Sequence, residues 1–140
     1  MICKVRECGG AMSGRDQQEE DRSVFEDLLV GGLIDWLNPG WVYSTVAEMT
    51  SLTRFEDRWL YSIGVVTSLI LDGLAVAGDL DERGEFGAWE VQGAEAVERI
   101  VREWKEDWWE KVPTPGAIAW LCTTEAGDRI GRAVLERETT

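Results

Sequence analysis

Leu69 to Trp89 reads LILDGLAVAGDLDERGEFGAW, and the change of pattern inside it decides the fold. An apolar helix end meets Asp72-Gly73, and glycine is the residue that a helix C-terminus wants in the left-handed position. A short apolar run, Leu74-Ala75-Val76, follows. Gly78 then opens a loop in which five of the next twelve residues are acidic. Helix, strand and acidic loop in immediate succession predict a mixed helical and β domain, with the loop as its candidate working surface.

Upstream of this stretch the pattern is helical. Ser23-Val-Phe-Glu26 is a capping box ahead of an apolar run, so a first helix is expected to start there. Phe25, Leu28, Leu29, Leu33, Trp36 and Leu37 recur at three- and four-residue spacing as its inward face. Gly31-Gly32 interrupts it, which calls for a close neighbour or a bend. Asn38-Pro39 opens a second helix in the favoured order of cap then proline, with Trp41, Val42, Val46 and Met49 inward. A third is predicted from Arg54 to Asp72, with Phe55, Trp59, Ile63, Val66 and Ile70 on one face and Leu60, Leu69 and Leu71 widening it.

Downstream, Gly93 precedes a fourth helix from Ala94 to Lys111. Its apolar face is Val97, Ile100, Val101, Trp104 and Trp108, and Glu98 to Arg102 and Arg102 to Glu106 are stabilising pairs at four-residue spacing. Pro113-Thr-Pro115-Gly116 ends it. Ala117 to Cys122 reads as a buried strand whose natural antiparallel partner is Leu74 to Val76. Thr123 or Thr124 caps a last helix, with Ala126, Ile130, Ala133 and Val134 inward and Glu125 to Arg129 and Asp128 to Arg132 paired outside. The expectation is therefore one α+β, mainly helical domain over residues 23–138, with about five helices and a two-stranded antiparallel sheet. Residues 1–22 have too few apolar side chains to offset ordering entropy and are expected to form a disordered tail. Met12-Ser13-Gly14 suggests an alternative start, with Cys3 and Cys8 preceding it.

The chain has 140 residues, 14 basic against 27 acidic, and a net charge of −13. Such a surface repels nucleic-acid phosphates and anionic membranes and favours a basic protein partner. No apolar run is long enough to span a bilayer. Three cysteines, at positions 3, 8 and 122, define no disulfide framework and point to a cytoplasmic protein, with Cys122 a small apolar residue of its strand. The eight Trp are a heavy aromatic load for this length. Without any His, and without a nucleophile elbow or phosphate loop, the chain is not expected to be an enzyme or to carry a cofactor.

Three helices, a short strand, a loop, a returning strand with the turn Thr124-Glu125-Ala126-Gly127, and a closing helix together resemble a winged-helix domain whose wing has swollen to hold the fourth helix. Winged helices commonly bind DNA through the third helix and the wing. Here the third helix sets Arg54 and Arg58 against Glu56, Asp57 and Asp72, and the wing is acidic, which argues against that use. A second resemblance covers roughly residues 28–134. Asp35-Trp36-Leu37, Gly73-Leu74 with Gly78-Asp79-Leu80, Trp89, the helix from Glu98-Arg99-Ile100 to Trp104, and Thr124-x-x-Gly127-Asp128 are similar to a group of small acidic bacterial proteins of polymorphic-toxin immunity type. That resemblance implies a protein that binds and neutralises a toxin.

The candidate partner-binding residues are Asp79, Asp81, Glu82, Glu85, Trp89 and Glu90, the carboxylates to steer and pair with Lys or Arg and Trp89 to supply apolar contact. Asp79-x-Asp81-x-Arg83-Gly84-Glu85-Phe86 through Glu90 also matches a calcium-loop spacing, but Arg83 stands where an oxygen ligand is needed and Gly73 and Gly78 break the entering helix. No metal is expected there. Trp108 is expected to close over the core. The alternative reading is a winged-helix regulator or adaptor that uses Arg54 and Arg58.

Overall fold

A computed structural model of the chain describes residues 21–139. The expectations for the tail, the alternative start, Cys3 and Cys8 lie outside them, except at the tail's last residues. Arg22 is buried: its guanidinium forks onto both carboxylate oxygens of Glu138 at 2.6 Å and reaches Asp27 at 3.2 Å. A basic side chain held by two carboxylates belongs to the domain, so the folded chain takes in residue 22.

α1 (Val24–Gly31) begins at the predicted capping box, in which Ser23 Oγ accepts from Glu26 N–H and the Glu26 carboxylate accepts from Ser23 N–H, both at 3.0 Å. It stops at the glycine pair and does not continue to Leu37. A Cβ on Gly31 would stand 2.6 Å from the Trp41 ring, and one on Gly32 2.6 Å from Thr123 Cγ2. The neighbours the glycines admit are thus the second helix and the sheet. Beyond them Leu37 is extended and exchanges backbone hydrogen bonds with Leu121 at 2.8 and 2.9 Å.

α2 (Pro39–Met49) is capped by Asn38, whose side chain accepts from Trp41 N–H at 3.0 Å. α3 (Phe55–Leu71) buries Trp59, Ser62, Val65, Val66, Leu69 and Ile70. Leu60 and Leu71 do not widen its inward face, each being 55% exposed. Gly73, at φ 72°, releases the chain as expected.

The sheet has three strands where two were expected: β1 (Ala75–Leu80), β2 (Phe86–Ala88) and β3 (Trp120–Thr123), in the order β2-β1-β3 and all antiparallel. The predicted pairing of the first strand with the returning one is present, with Val76 opposite Cys122. Cys122 is buried in β3, and its sulfur is disulfide-bonded, which corrects the expectation of no disulfide and removes the cysteine argument for a reducing compartment.

α4 (Ala94–Asp107) ends four residues earlier than its periodicity suggests and buries Ala96, Ile100 and Trp104, with Val97, Val101 and Trp108 half-buried. Its four-residue ion pair is Arg99 with Glu103 at 3.3 Å. α5 (Glu125–Glu138) is capped by Thr124, whose hydroxyl accepts from Gly127 N–H at 3.3 Å and donates to Gly73 O at 2.6 Å. The inward face is Gly127, Asp128, Gly131 and Val134. Ala126 and Ala133 face solvent because the small residues that let α5 approach α1 and Leu74 are the glycines. Asp128 turns inward to accept from the Thr123 hydroxyl at 2.7 Å, and Glu125 pairs with Arg132 at 2.8 Å. The described residues form an α+β, mainly helical fold of five helices and one sheet. Its core runs from Leu28, Leu29 and Leu37 through Leu69 and Leu121 to Ile100 and Trp104. No helix among the described residues is long and apolar enough to cross a membrane.

Candidate functional site

The acidic stretch is a β-hairpin rather than a loop. Leaving α3, Leu74 N–H still bonds Leu69 O at 2.8 Å, and Thr124 N–H bonds Leu74 O at 2.9 Å, so the root of β1 is tied to both α3 and the start of α5. β1 then runs outward beyond the cover of the helices. At its end Asp81 builds the turn. Its N–H bonds Glu85 O at 2.9 Å, its carbonyl accepts from Gly84 N–H at 2.9 Å, and its Oδ1 accepts from Arg83 N–H at 2.8 Å and Glu85 N–H at 2.9 Å. Gly84 takes the left-handed position at φ 78°, as a short hairpin loop requires.

The base of the hairpin is fastened by side chains. Trp89 Nε1 donates to Asp79 Oδ2 at 2.9 Å, and the Arg99 guanidinium lies 3.7 Å from the Trp89 ring centroid. Gln92 supplies what a further strand residue would. Its Oε1 accepts from Ala77 N–H at 3.3 Å, and its Nε2 donates to Ala77 O and Trp89 O at 2.9 Å each. The satisfied backbone of Ala77 fixes where the hairpin leaves the domain.

The predicted site residues therefore divide. Asp81, Glu82 and Glu85 gather at the tip, exposed, and Glu90 is exposed just past β2. No ion pair within the described residues engages any of the four. Asp79 is exposed too, but one of its oxygens is committed to Trp89. Trp89 is not an exposed anchor: it is only 7% exposed, its N–H spent on Asp79 and its face covered by Arg99. It fastens the platform and leaves little of its surface in the open.

The calcium spacing does not become a calcium geometry. Asp79 is a strand residue facing Trp89 and Asp81 Oδ1 is filled by two backbone N–H groups, while no group of three or more carboxylates or cysteines among the described residues is placed to hold a metal.

Two surface features escaped the sequence reading. An open groove of about 590 Å³ is walled by Trp36, Trp41 and Trp120 with Pro113 and Pro115. Its signal in the sequence is the Pro113-Thr-Pro115-Gly116 segment, whose two prolines line the groove. The outer face of α3 carries exposed Leu60, Tyr61 and Leu71, and no charged residue occurs from Trp59 through Leu71. Trp108 is half-buried against the core, whereas Trp109, 39% exposed, stands edge-on to Phe55 and Trp59 at 5.0 and 5.2 Å.

Comparison with protein-family models, with curated proteins and with solved structures finds no match to this chain.

Proposed function

We propose that the chain is an acidic protein-binding module of immunity type, which neutralises a basic protein, such as a nuclease toxin, by presenting the hairpin tip to its positively charged cleft. The observation that carries this reading is the set of exposed carboxylates Asp81, Glu82 and Glu85, without ion-pair partners among the described residues, on a hairpin fastened at its base by Trp89 and Gln92. Glu82 and Glu85, held on a rigid support, reach a basic cleft without first giving up ion-pair partners or losing much chain entropy, and Asp81 keeps Oδ2 for the partner while its Oδ1 holds the turn. The cytoplasm is the compartment this reading implies.

The test is a pull-down from the native host with the chain as it stands and with D81K/E82K/E85K. The native chain is expected to capture a basic protein and the variant to lose it. With the captured protein purified, the variant's association rate at low salt should fall about tenfold or more. An unchanged rate removes the hairpin tip from the mechanism.

A winged-helix adaptor is the second reading, and the Leu37–Leu121 bridge favours it. That bridge adds a short extended segment between α1 and α2 to the far side of β3, the place where a winged helix has its first strand. Capture of DNA or transcription machinery in the same pull-down, indifferent to the three charges, would favour it over the immunity reading.

A further inference from the structure

β1 and β2 pair with Leu80 opposite Phe86, Asp79 opposite Gly87 and Gly78 opposite Ala88. The bonds at the two ends of this ladder, Asp81 N–H to Glu85 O and Trp89 N–H to Ala77 O, mark the odd-numbered residues as the hydrogen-bonded pairs. Such pairs alternate along an antiparallel ladder. The backbone of Gly87 therefore points into β1, and the N–H and C=O groups of Phe86 and Ala88 point away from the sheet. β2 is its outer strand, and both Gly87 and Ala88 are exposed. No backbone bond joins Phe86 or Ala88 to any other described element.

We propose that this edge accepts an extended basic segment of the protein partner as a fourth strand. An open strand edge is a template for another chain, and main-chain bonding gives affinity while the flanking side chains select the occupant. Glu85 and Glu90 flank β2 and Asp81 and Glu82 close the turn, against Arg83 alone. These carboxylates attract Lys and Arg on an incoming strand and repel a second copy of this acidic chain. β2 itself contains no proline or lysine to blunt the edge, and its small residues Gly87 and Ala88 leave room for a backbone to approach. The inference rests on the hairpin being the binding surface and adds how the partner is held there.

The test uses the full chain and two pentapeptides of alternating lysine and valine, alike except that one is N-methylated at the amides that would pair. At low salt the unmodified peptide is expected to shift the Phe86 and Ala88 amide resonances and slow their exchange. N-methylation should weaken its binding about fivefold or more, the effect of losing one or two backbone hydrogen bonds. Ala88→Pro removes an outward N–H that β1 does not use and should weaken binding similarly, with near-ultraviolet circular dichroism checking that the variant is folded. Equal binding of the two peptides, or binding of neither, overturns the edge as a docking site. Peptide binding that is lost in D81K/E82K/E85K yet indifferent to N-methylation would sink the edge and leave the acidic surface standing. Binding sensitive to N-methylation, alongside a pull-down indifferent to the triple change, would do the reverse.

Discussion

Glu26 shows how one side chain can serve two ends of the fold. Its carboxylate closes the capping box of α1 and also accepts from Arg137, 2.7 Å away near the end of α5. The Arg137 hydrogen bond first, and then the Ser23 backbone, hold the Glu26 carboxyl below the ordinary glutamate value, while Glu26 raises Arg137 in turn. A carboxyl with a depressed folded pKa adds stability that is present above its unfolded pKa and is lost as pH falls through the folded one. Glu26→Gln is thus expected to lower the urea midpoint at neutral pH, with the gap to the unaltered chain closing once pH drops below the usual glutamate range of about 4.3. A gap that stays constant across that range would mean that the charge of Glu26 is not what matters. Trp89 teaches the complementary lesson: its burial depends on Asp79 and Arg99, ten residues away on either side, a pairing that no local pattern announces.

At the level of elements, what the sequence made legible was whatever a local chemical signal specifies. The capping box, the Asn38-Pro39 start, the glycine after α3 and the β1 to β3 pairing are such features. β2 was hidden because Phe86-Gly87-Ala88 holds no β-branched residue and sits in an acidic run, so composition argued for a loop. The inward face of α5 was misjudged for a related reason, since glycine contributes no hydrophobic signal although it allows the closest approach. Gly131 and Gly64 separate these effects. A Cβ at Gly131 would stand 2.6 Å from Leu29 O, whereas one at Gly64 would meet nothing within 4 Å. Gly131→Ala is expected to destabilise by about 1–3 kcal/mol through overpacking, despite the better helix propensity of alanine. Gly64→Ala should stabilise by up to about 1 kcal/mol. Thermal melts of the two variants check this, and a stabilised Gly131→Ala would show that α5 is free to move away from α1.

Over the whole molecule, a net charge of −13 sets a background that no single contact cancels. Surface ion pairs such as Arg132 with Glu125 and Arg54 with Glu56 are exposed and worth little individually. Self-repulsion should therefore outweigh them. Raising salt from about 0.01 M to about 0.1 M shortens the screening length from roughly 30 Å to roughly 10 Å and is expected to raise the melting temperature. A fall over that interval would mean that the ion pairs dominate. The same excess charge that loosens the folded chain is what would speed its encounter with a basic partner, so the two effects should respond to salt in opposite directions. The clasp of Arg22 on Glu138 has a topological consequence as well. It brings the two ends of the described chain to within a pair of side chains of each other, so a short linker could join them and new termini could be cut elsewhere, giving a circular permutant with the same core.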